Sequence, residues 1–145
     1  MTTDLIVMDA MALREFMEAA FTARLTWVIE RVDDQGISIR QPVDDSNLRP
    51  GGTVSGPTLM TLADAVAYMA VLSRIGPEAL AVTSNLNINF LRRPRPGDLV
   101  CNGRILKLGR TLALTEVEIF SASDPENAVA HSTVTYSMAL LQPPN

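Results

Sequence analysis

The sequence predicts an α+β fold in which one antiparallel sheet of five or six strands curls around a single long helix, with an additional helix near the N-terminus. Residues 56–72 form an apolar helical run whose one charged residue is Asp64. Residues 86–90 alternate strictly between apolar side chains and asparagines, which is typical of a half-buried strand. Because helical segments precede a series of hairpins, a single antiparallel sheet is expected. A helix that is apolar on nearly all sides belongs in a core, so the sheet must curl around it.

The first third of the chain predicts a short helix followed by a β-hairpin. Asp9 can cap a helix over residues 9–23, which carries an apolar stripe. Strands are predicted over residues 25–32 and 36–43, and the turn-forming residues 33–36 join them.

A polar loop over residues 44–53 leads into the long helix, which is predicted over residues 57–73. Pro57 suits its first turn, where a backbone N–H has no intrahelical partner, and Gly76 ends it. A turn-rich segment, residues 121–127, is predicted before the last strand. The strands of the second half are predicted over residues 83–90, 99–108, 112–120 and 128–140.

Length and composition exclude several classes of protein. The 145 residues are expected to form one domain, residues 1–145, with a real core, and the net charge of −4 argues against a nucleic-acid partner. One cysteine, Cys101, excludes an internal disulfide framework, and with one histidine, His131, a Cys/His metal site is not expected. No secretory signal is evident, and the apolar run is short for a membrane span. We therefore expect a soluble, cytoplasmic protein with no metal and no membrane partner.

Asp64 is the first candidate for chemistry. A carboxylate on a core helix is costly to desolvate unless it is paired, hydrogen-bonded or protonated. Carboxylates in such positions are candidates for catalytic groups. The alternative is that Asp64 lies at the rim of the helix and faces solvent.

Four segments are similar to motifs of one enzyme family. They are SGPTLMTLAD at residues 55–64, LNINFLRRP at 86–94, RPGDL at 95–99 and GRTLA at 109–113. In this order they resemble the phenylacetate-degradation type of acyl-CoA thioesterase, over roughly residues 40–140. The resemblance implies the hotdog fold, hydrolysis of an acyl-CoA thioester to free acid and coenzyme A, and a homodimer or homotetramer. It implies no cofactor beyond the coenzyme A of the substrate.

The chain departs from the family pattern beside the long helix. Many relatives have a histidine directly before the helix glycine, where this chain has Ser55, and Pro57 replaces a second glycine. Asn47 is the nearest residue to the usual loop asparagine, but its spacing to Asp64 differs by one or two residues. Ser55 can cap the helix, yet it cannot titrate near neutral pH as histidine does. Any mechanism here must manage without that histidine.

Thioester hydrolysis needs a donor that polarises the carbonyl and a group that attacks it or activates water. The Gly56 N–H at the helix N-terminus suits the first role, and Asp64 suits the second as nucleophile or general base. Eight residues of helix separate them, which is roughly 12 Å at 1.5 Å per residue. The site is therefore expected to combine Gly56 of one subunit with Asp64 of another. Thr83 matches a residue that holds the water in some relatives, or is simply a β-branched strand residue.

Two further sets of residues are candidates for substrate binding. Apolar residues on the helix predict an apolar or aryl acyl pocket, or plain core: Leu59, Met60 and Tyr68. Basic residues near two turns are expected at one rim of the cleft, where they meet the phosphates of coenzyme A or form an ordinary solvated surface. These are Arg92, Arg93, Arg95, Lys107 and Arg110.

Two other functions compete with hydrolysis. A non-hydrolytic acyl-CoA-binding hotdog protein is the main alternative, because the histidine is missing and the asparagine spacing is altered. Hydratase chemistry would require a histidine paired with a carboxylate near the helix. His131 lies in the last predicted strand instead, so a structural role is expected for it.

Overall fold

The computed structural model describes residues 6–22 and 24–141, and it confirms the predicted α+β architecture. Six antiparallel strands form one sheet in the order β1-β2-β4-β5-β6-β3, so β3 lies at one edge and β1 at the other. Two single-turn 3-10 helices cover residues 45–47 and 139–141. The main elements are α1 (Ala10–Ala20), β1 (Val28–Asp33), β2 (Gly36–Gln41), α2 (Gly56–Ile75), β3 (Val82–Phe90), β4 (Leu99–Leu108), β5 (Leu112–Ser121) and β6 (Asp124–Ser137).

Helix α2 is the core of the fold. Ser55 caps it by accepting the Thr58 N–H at 3.2 Å, and Gly76 ends it with φ of 99°. The sheet lies close against α2 at Gly103, where an added Cβ would lie 2.5 Å from Val66 Cγ1, so glycine is needed there. Of the described helices, α2 alone has the length and apolar composition of a membrane span, but 61% of its most apolar window is buried inside the protein.

The predicted first helix and first strand were both too long. Helix α1 begins after the cap Asp9, as predicted, but ends at Ala20, and Ala23 lies outside the described residues. The strand predicted from residue 25 begins only at Val28. The guanidinium of Arg14 donates hydrogen bonds to the carbonyls of residues 25 and 27, so a side chain holds these carbonyls and the segment lies outside β1.

Other strand ends also differ from the prediction. Strand β2 ends at Gln41 because Pro42 has no N–H to continue the ladder. The turn predicted over residues 121–127 shortens to residues 122–123, since β5 continues to residue 121 and β6 begins at residue 124. Strand β6 ends at Ser137 rather than residue 140, and the Ser137 hydroxyl accepts the Ala139 N–H where the 3-10 turn begins.

Candidate active site

A cavity of about 620 Å³ lies between α2, the segment that follows α1 and the start of β3. Among the described residues that line it, Asp64 is the one charged group. Most of the remaining lining is apolar, including the predicted pocket residues Met60 and Tyr68 together with Phe21 and Trp27. Met60, Asp64 and Tyr68 are spaced four residues apart, so α2 presents all three on one face.

The Asp64 carboxylate is held by two hydroxyl groups. Thr83 Oγ1 donates a hydrogen bond to Asp64 Oδ1 at 2.7 Å. The Tyr136 hydroxyl donates to the same Oδ1 and lies 2.9 Å from the Asp64 main-chain oxygen. Asp64 is half-buried and hydrogen-bonded, so it does not simply face solvent at the rim of the helix. None of the described residues donates to Oδ2, which leaves that oxygen available to a ligand.

Tyr136 was not identified from the sequence. It lies directly opposite Thr83 in the β3–β6 pairing, and this register brings the two hydroxyls together. Burial, and then the neighbouring Asp64 carboxylate, raise the pKa of the Tyr136 phenol, so it stays a neutral donor. The sequence did contain a hint of this role: Tyr136 falls at a position of the last strand whose side chain points into the core. A buried phenol requires a hydrogen-bond partner there.

An aromatic cluster supports Tyr136. The Tyr68 ring stacks on the Tyr136 ring with centroids 5.5 Å apart, and Phe21 meets Tyr68 edge-on at 6.0 Å. The Tyr68 hydroxyl donates to the Glu78 carbonyl at 3.2 Å rather than to Asp64. Burial raises the pKa of Tyr68 as well, so both phenols are neutral at physiological pH. The cluster forms one wall of the cavity.

The N-terminus of α2 lines a separate cleft of about 390 Å³. The exposed ring of Phe90 lies beside the helix start, where a Cβ added to Gly56 would make van der Waals contact with Phe90 Cζ at 3.4 Å. Leu59 lines this second cleft and not the Asp64 cavity, so within one chain it lies apart from Met60 and Tyr68, and its contact with substrate stays a prediction. Adjacent helical residues point about 100° apart, which explains the difference from Met60.

Ser55 and Asn47 also lie at this end of α2. The Ser55 N–H donates to the Asn47 carbonyl at 2.9 Å, which ties the loop to the helix start. The Asn47 side-chain oxygen accepts the Asp44 N–H at 2.9 Å in the capping box of the first 3-10 helix. Within one chain, the structure therefore brings Thr83 to Asp64 and groups Ser55 and Asn47 with Gly56.

The basic residues lie at two separate places in a single chain, and their meeting at one rim of the cleft stays a prediction. Arg92 and Arg93 line the Gly56 cleft. Arg95 is exposed and pairs with Asp124 at 3.4 Å. Lys107 and Arg110 lie at the other end of β4 from Arg92 and Arg93. The strand has ten residues, so at about 3.3 Å per residue it separates the two pairs by about 30 Å. This end of β4 lies near the Asp64 cavity. The Met138 N–H donates to the Thr111 carbonyl there, and Tyr136, two residues before Met138, lines the cavity.

His131 belongs to another cluster. Its Nε2 lies 2.8 Å from Glu116, which Arg104 also contacts at 2.7 Å. Hydrogen bonds from His131 and then Arg104 lower the pKa of the Glu116 carboxyl. In β5 the buried side chains alternate with Glu116, so this cluster lies on the face of the sheet away from α2. No group of three potential metal ligands occurs within residues 6–22 and 24–141.

A curled antiparallel sheet around α2, with an acidic residue on the helix beside an apolar cavity, defines a hotdog protein. Residues 51–128 match the thioesterase superfamily, and the chain belongs to that family. The crystal structure of a candidate thioesterase from Silicibacter sp. TM1040 is 40% identical, with a TM-score of 0.84 over 93% of this chain and 94% of that one.

Two further proteins are similar to this chain, the second in its fold. A candidate esterase of Halobacterium salinarum is 30% identical over 69% of each chain. A hypothetical thioesterase of Streptococcus pneumoniae, crystallised with coenzyme A, is 24% identical and has a TM-score of 0.69 over 89% of this chain and 95% of that one. The hotdog fold implied by the resemblance is confirmed, and the family supports thioester hydrolysis in general.

Proposed function

We propose that this protein hydrolyses acyl-CoA thioesters to a free acid and coenzyme A, at a site shared by two copies of the chain. The observation that carries the proposal is Asp64, the single charged group among the described residues of an apolar cavity, with one carboxylate oxygen held and the other available. Membership of the thioesterase superfamily supports the reaction class. Coenzyme A in the Streptococcus pneumoniae neighbour supports the substrate class.

In the proposed reaction, Asp64 Oδ2 either takes a proton from a water that attacks the thioester carbon or attacks that carbon itself. The carbonyl oxygen becomes an oxyanion, which backbone N–H donors at a helix N-terminus stabilise. The C–S bond then breaks, and the thiolate of coenzyme A leaves and takes up a proton. In the general-base route the acid is released at this point, because water supplied its second oxygen. In the nucleophilic route the acyl group is still bound to Asp64 as an anhydride, and one water hydrolyses it to release the acid and restore the carboxylate.

The oxyanion donor is proposed to come from a second copy. In one chain Gly56 and Asp64 line separate clefts, roughly 12 Å apart along α2. Strand β3 is an edge of the described sheet, and apolar side chains at its ends are 45% exposed at Val82 and 53% at Phe90. Antiparallel pairing of β3 with its own symmetry mate would set the Gly56 end of one copy beside the Asp64 end of the other.

The same pairing gives a reason for the basic residues. Arg92 and Arg93 lie at the Gly56 end of the chain, and Lys107 and Arg110 lie at the Asp64 end. Two-fold pairing would therefore bring the arginines of one copy toward the basic turn of the other. We propose that this combined edge binds the phosphates of coenzyme A, which guanidinium donors suit well.

The cavity is proposed to hold the acyl group. Its apolar and aromatic lining favours an apolar or aryl acyl chain, as in the phenylacetate-degradation type of thioesterase that the motifs resemble. A hydrophilic or charged acyl group would leave polar atoms unpaired among these side chains.

A substrate screen tests the proposal. Thiol release is measured for short, medium, long and aryl acyl-CoAs at several enzyme concentrations, with Asp64→Asn as the inactive reference. Turnover that requires Asp64 supports a thioesterase. Saturable binding of acyl-CoA without thiol release would instead identify a non-hydrolytic acyl-CoA-binding protein, and neither binding nor release would overturn both functions.

A further inference from the structure

The geometry points to Tyr136 as a positioning residue for Asp64: its hydroxyl ties the carboxylate to the main chain of the same residue and thereby selects which oxygen reacts. This inference rests on the proposed hydrolysis and deepens it. Tyr136 lies on β6, outside every motif on which the family resemblance is based.

The Tyr136 hydroxyl makes two contacts to a single residue, Asp64. The Tyr136 hydroxyl is 2.9 Å from the Asp64 main-chain oxygen and also donates to Asp64 Oδ1. Its one proton is shared between two acceptors that belong to the same residue. Rotation of the aspartate side chain to another rotamer would carry Oδ1 away from a hydroxyl that stays anchored to the helix. The contact therefore holds the carboxylate in one orientation.

The Tyr136 phenol is itself held in place by its strand pairing and by the ring stacked on it. Tyr136 is 3% exposed, and its strand is paired on both sides, with Ala113 of β5 and Thr83 of β3 as its partners. The Tyr68 ring stacked on it blocks a swing of the phenol ring. Because burial raises the pKa of the Tyr136 phenol, the hydroxyl remains protonated at physiological pH and can donate.

The hydrogen bonds to Asp64 also determine which carboxylate oxygen can react. Thr83 and Tyr136 both donate to Oδ1, which fills the acceptor capacity of that oxygen. Oδ2 has no donor among the described residues and is the oxygen left for the water or the acyl carbon. Thr83 can fill part of this role alone, but Tyr136 is the group that also reaches the helix main chain.

The experiment compares two single-hydroxyl deletions in the full-length protein. Tyr136→Phe removes the hydroxyl that reaches Asp64. Thr115→Val removes another buried hydroxyl beside β6, which donates to the Val134 carbonyl at 2.8 Å and lies outside both clefts. Both variants should lose some thermal stability. Since a misplacement of about 1 Å can lower rates by about 100-fold, we expect Tyr136→Phe to lower kcat by roughly 10- to 100-fold. Its KM should stay within a factor of about three, and Thr115→Val should keep the wild-type kcat.

A double variant separates positioning from a merely structural effect. If Tyr136 acts through Asp64, adding Tyr136→Phe to Asp64→Asn should lower the residual kcat no further, whereas an independent structural effect would multiply the two losses. A Tyr136→Phe variant with wild-type kcat, or multiplied losses, overturns the inference while the proposed function stands. A wild-type protein that releases no thiol from any acyl-CoA overturns the proposed function, and this inference with it.

Discussion

Thr83 and Tyr136 face each other across the β3–β6 pairing, and both hydroxyls reach one oxygen of Asp64. The acid comes from the buried helix and the two hydroxyls come from neighbouring strands of the sheet. Any shift of the helix against the sheet would therefore change the hydrogen bonding of the carboxylate. The site depends on the core packing that holds α2 and β6 together, including the stack of Tyr68 on Tyr136.

Asp64→Asn should lower kcat for acyl-CoA hydrolysis by at least about a hundredfold, the scale of general-base contributions. The amide is nearly isosteric and keeps an oxygen that can accept from Thr83, so the fold should remain intact. Glu116→Gln is the matched control, because it makes the same change of acid to amide on the outer face of the sheet. Steady-state thiol release and thermal melts of both variants check this. Wild-type turnover in Asp64→Asn would remove Asp64 from the mechanism.

Thr83 offers a test of the hydroxyl separate from the side-chain shape. Thr83→Val keeps the β-branched shape but loses the donor to Asp64, and Thr83→Ser keeps the donor. We expect roughly a tenfold lower kcat in the valine variant, a little below the range for a full acid–base group, and near wild-type kcat in the serine variant. Equal kcat values in the two variants would show that Thr83 is an ordinary strand residue.

Complementation tests the shared site directly. Gly56→Val should be inactive, since a Cβ here already makes van der Waals contact with Phe90 Cζ at 3.4 Å, and the two further methyl groups of valine would cover the first amide of α2. If each site combines Gly56 of one copy with Asp64 of another, a hybrid of this variant with Asp64→Asn contains one intact site.

Refolding the two inactive variants together at equal amounts should then restore about a quarter of wild-type activity, because half of the dimers are hybrids and each has one good site of two. The controls are the two variants refolded separately and then pooled. Activity that stays at the sum of the separate variants would place the whole site in one chain, and light scattering that finds only active monomers would lead to the same conclusion.

The parts of the fold that sequence reasoning reached are those with a local signal. The apolar run and its cap identify α2, and a lone carboxylate within it identifies Asp64. Tyr136 could not be placed in the same way, because its role depends on the register that sets it opposite Thr83, 53 positions earlier in the chain. The true start of β1 depends on the Arg14 side chain holding two distant carbonyls, which no periodicity records. The basic residues do not share a rim within one chain, because β4 is long enough to separate its two ends.

Cys101 should be unreactive in the native protein. It is fully buried, and burial raises the pKa of its thiol from 9.0 to about 12. At pH 8 the native protein therefore has almost no thiolate, whereas unfolding exposes the thiol and returns its pKa toward the ordinary value. Labelling with a disulfide reagent at pH 8 should be negligible before denaturant and reach one thiol per chain after it. Rapid labelling of the native protein would show that the core around β4 opens readily.

Arg92 and Arg93 line the Gly56 cleft, where they are placed to bind the phosphates of coenzyme A. The double alanine variant should raise KM for acyl-CoA severalfold with little change in kcat, since each exposed charge contact is worth about 0–1 kcal/mol. The increase should shrink as salt rises, because exposed charges are screened over about 8 Å at physiological ionic strength. Arg95→Ala is the control variant. Arg95 already pairs with Asp124, so its loss should change KM less than the loss of Arg92 and Arg93 does.

Two measurements separate nucleotide binding from a general effect on the site. Hydrolysis of a thioester that lacks the phosphates of coenzyme A should hardly respond to the loss of both arginines. If the two basic ends meet across a dimer, Arg110→Ala should also raise KM for acyl-CoA. The KM of the wild type should then rise more steeply with salt than the KM of either variant. An unchanged KM at low salt in the double variant would make these arginines an ordinary solvated surface and place the nucleotide elsewhere.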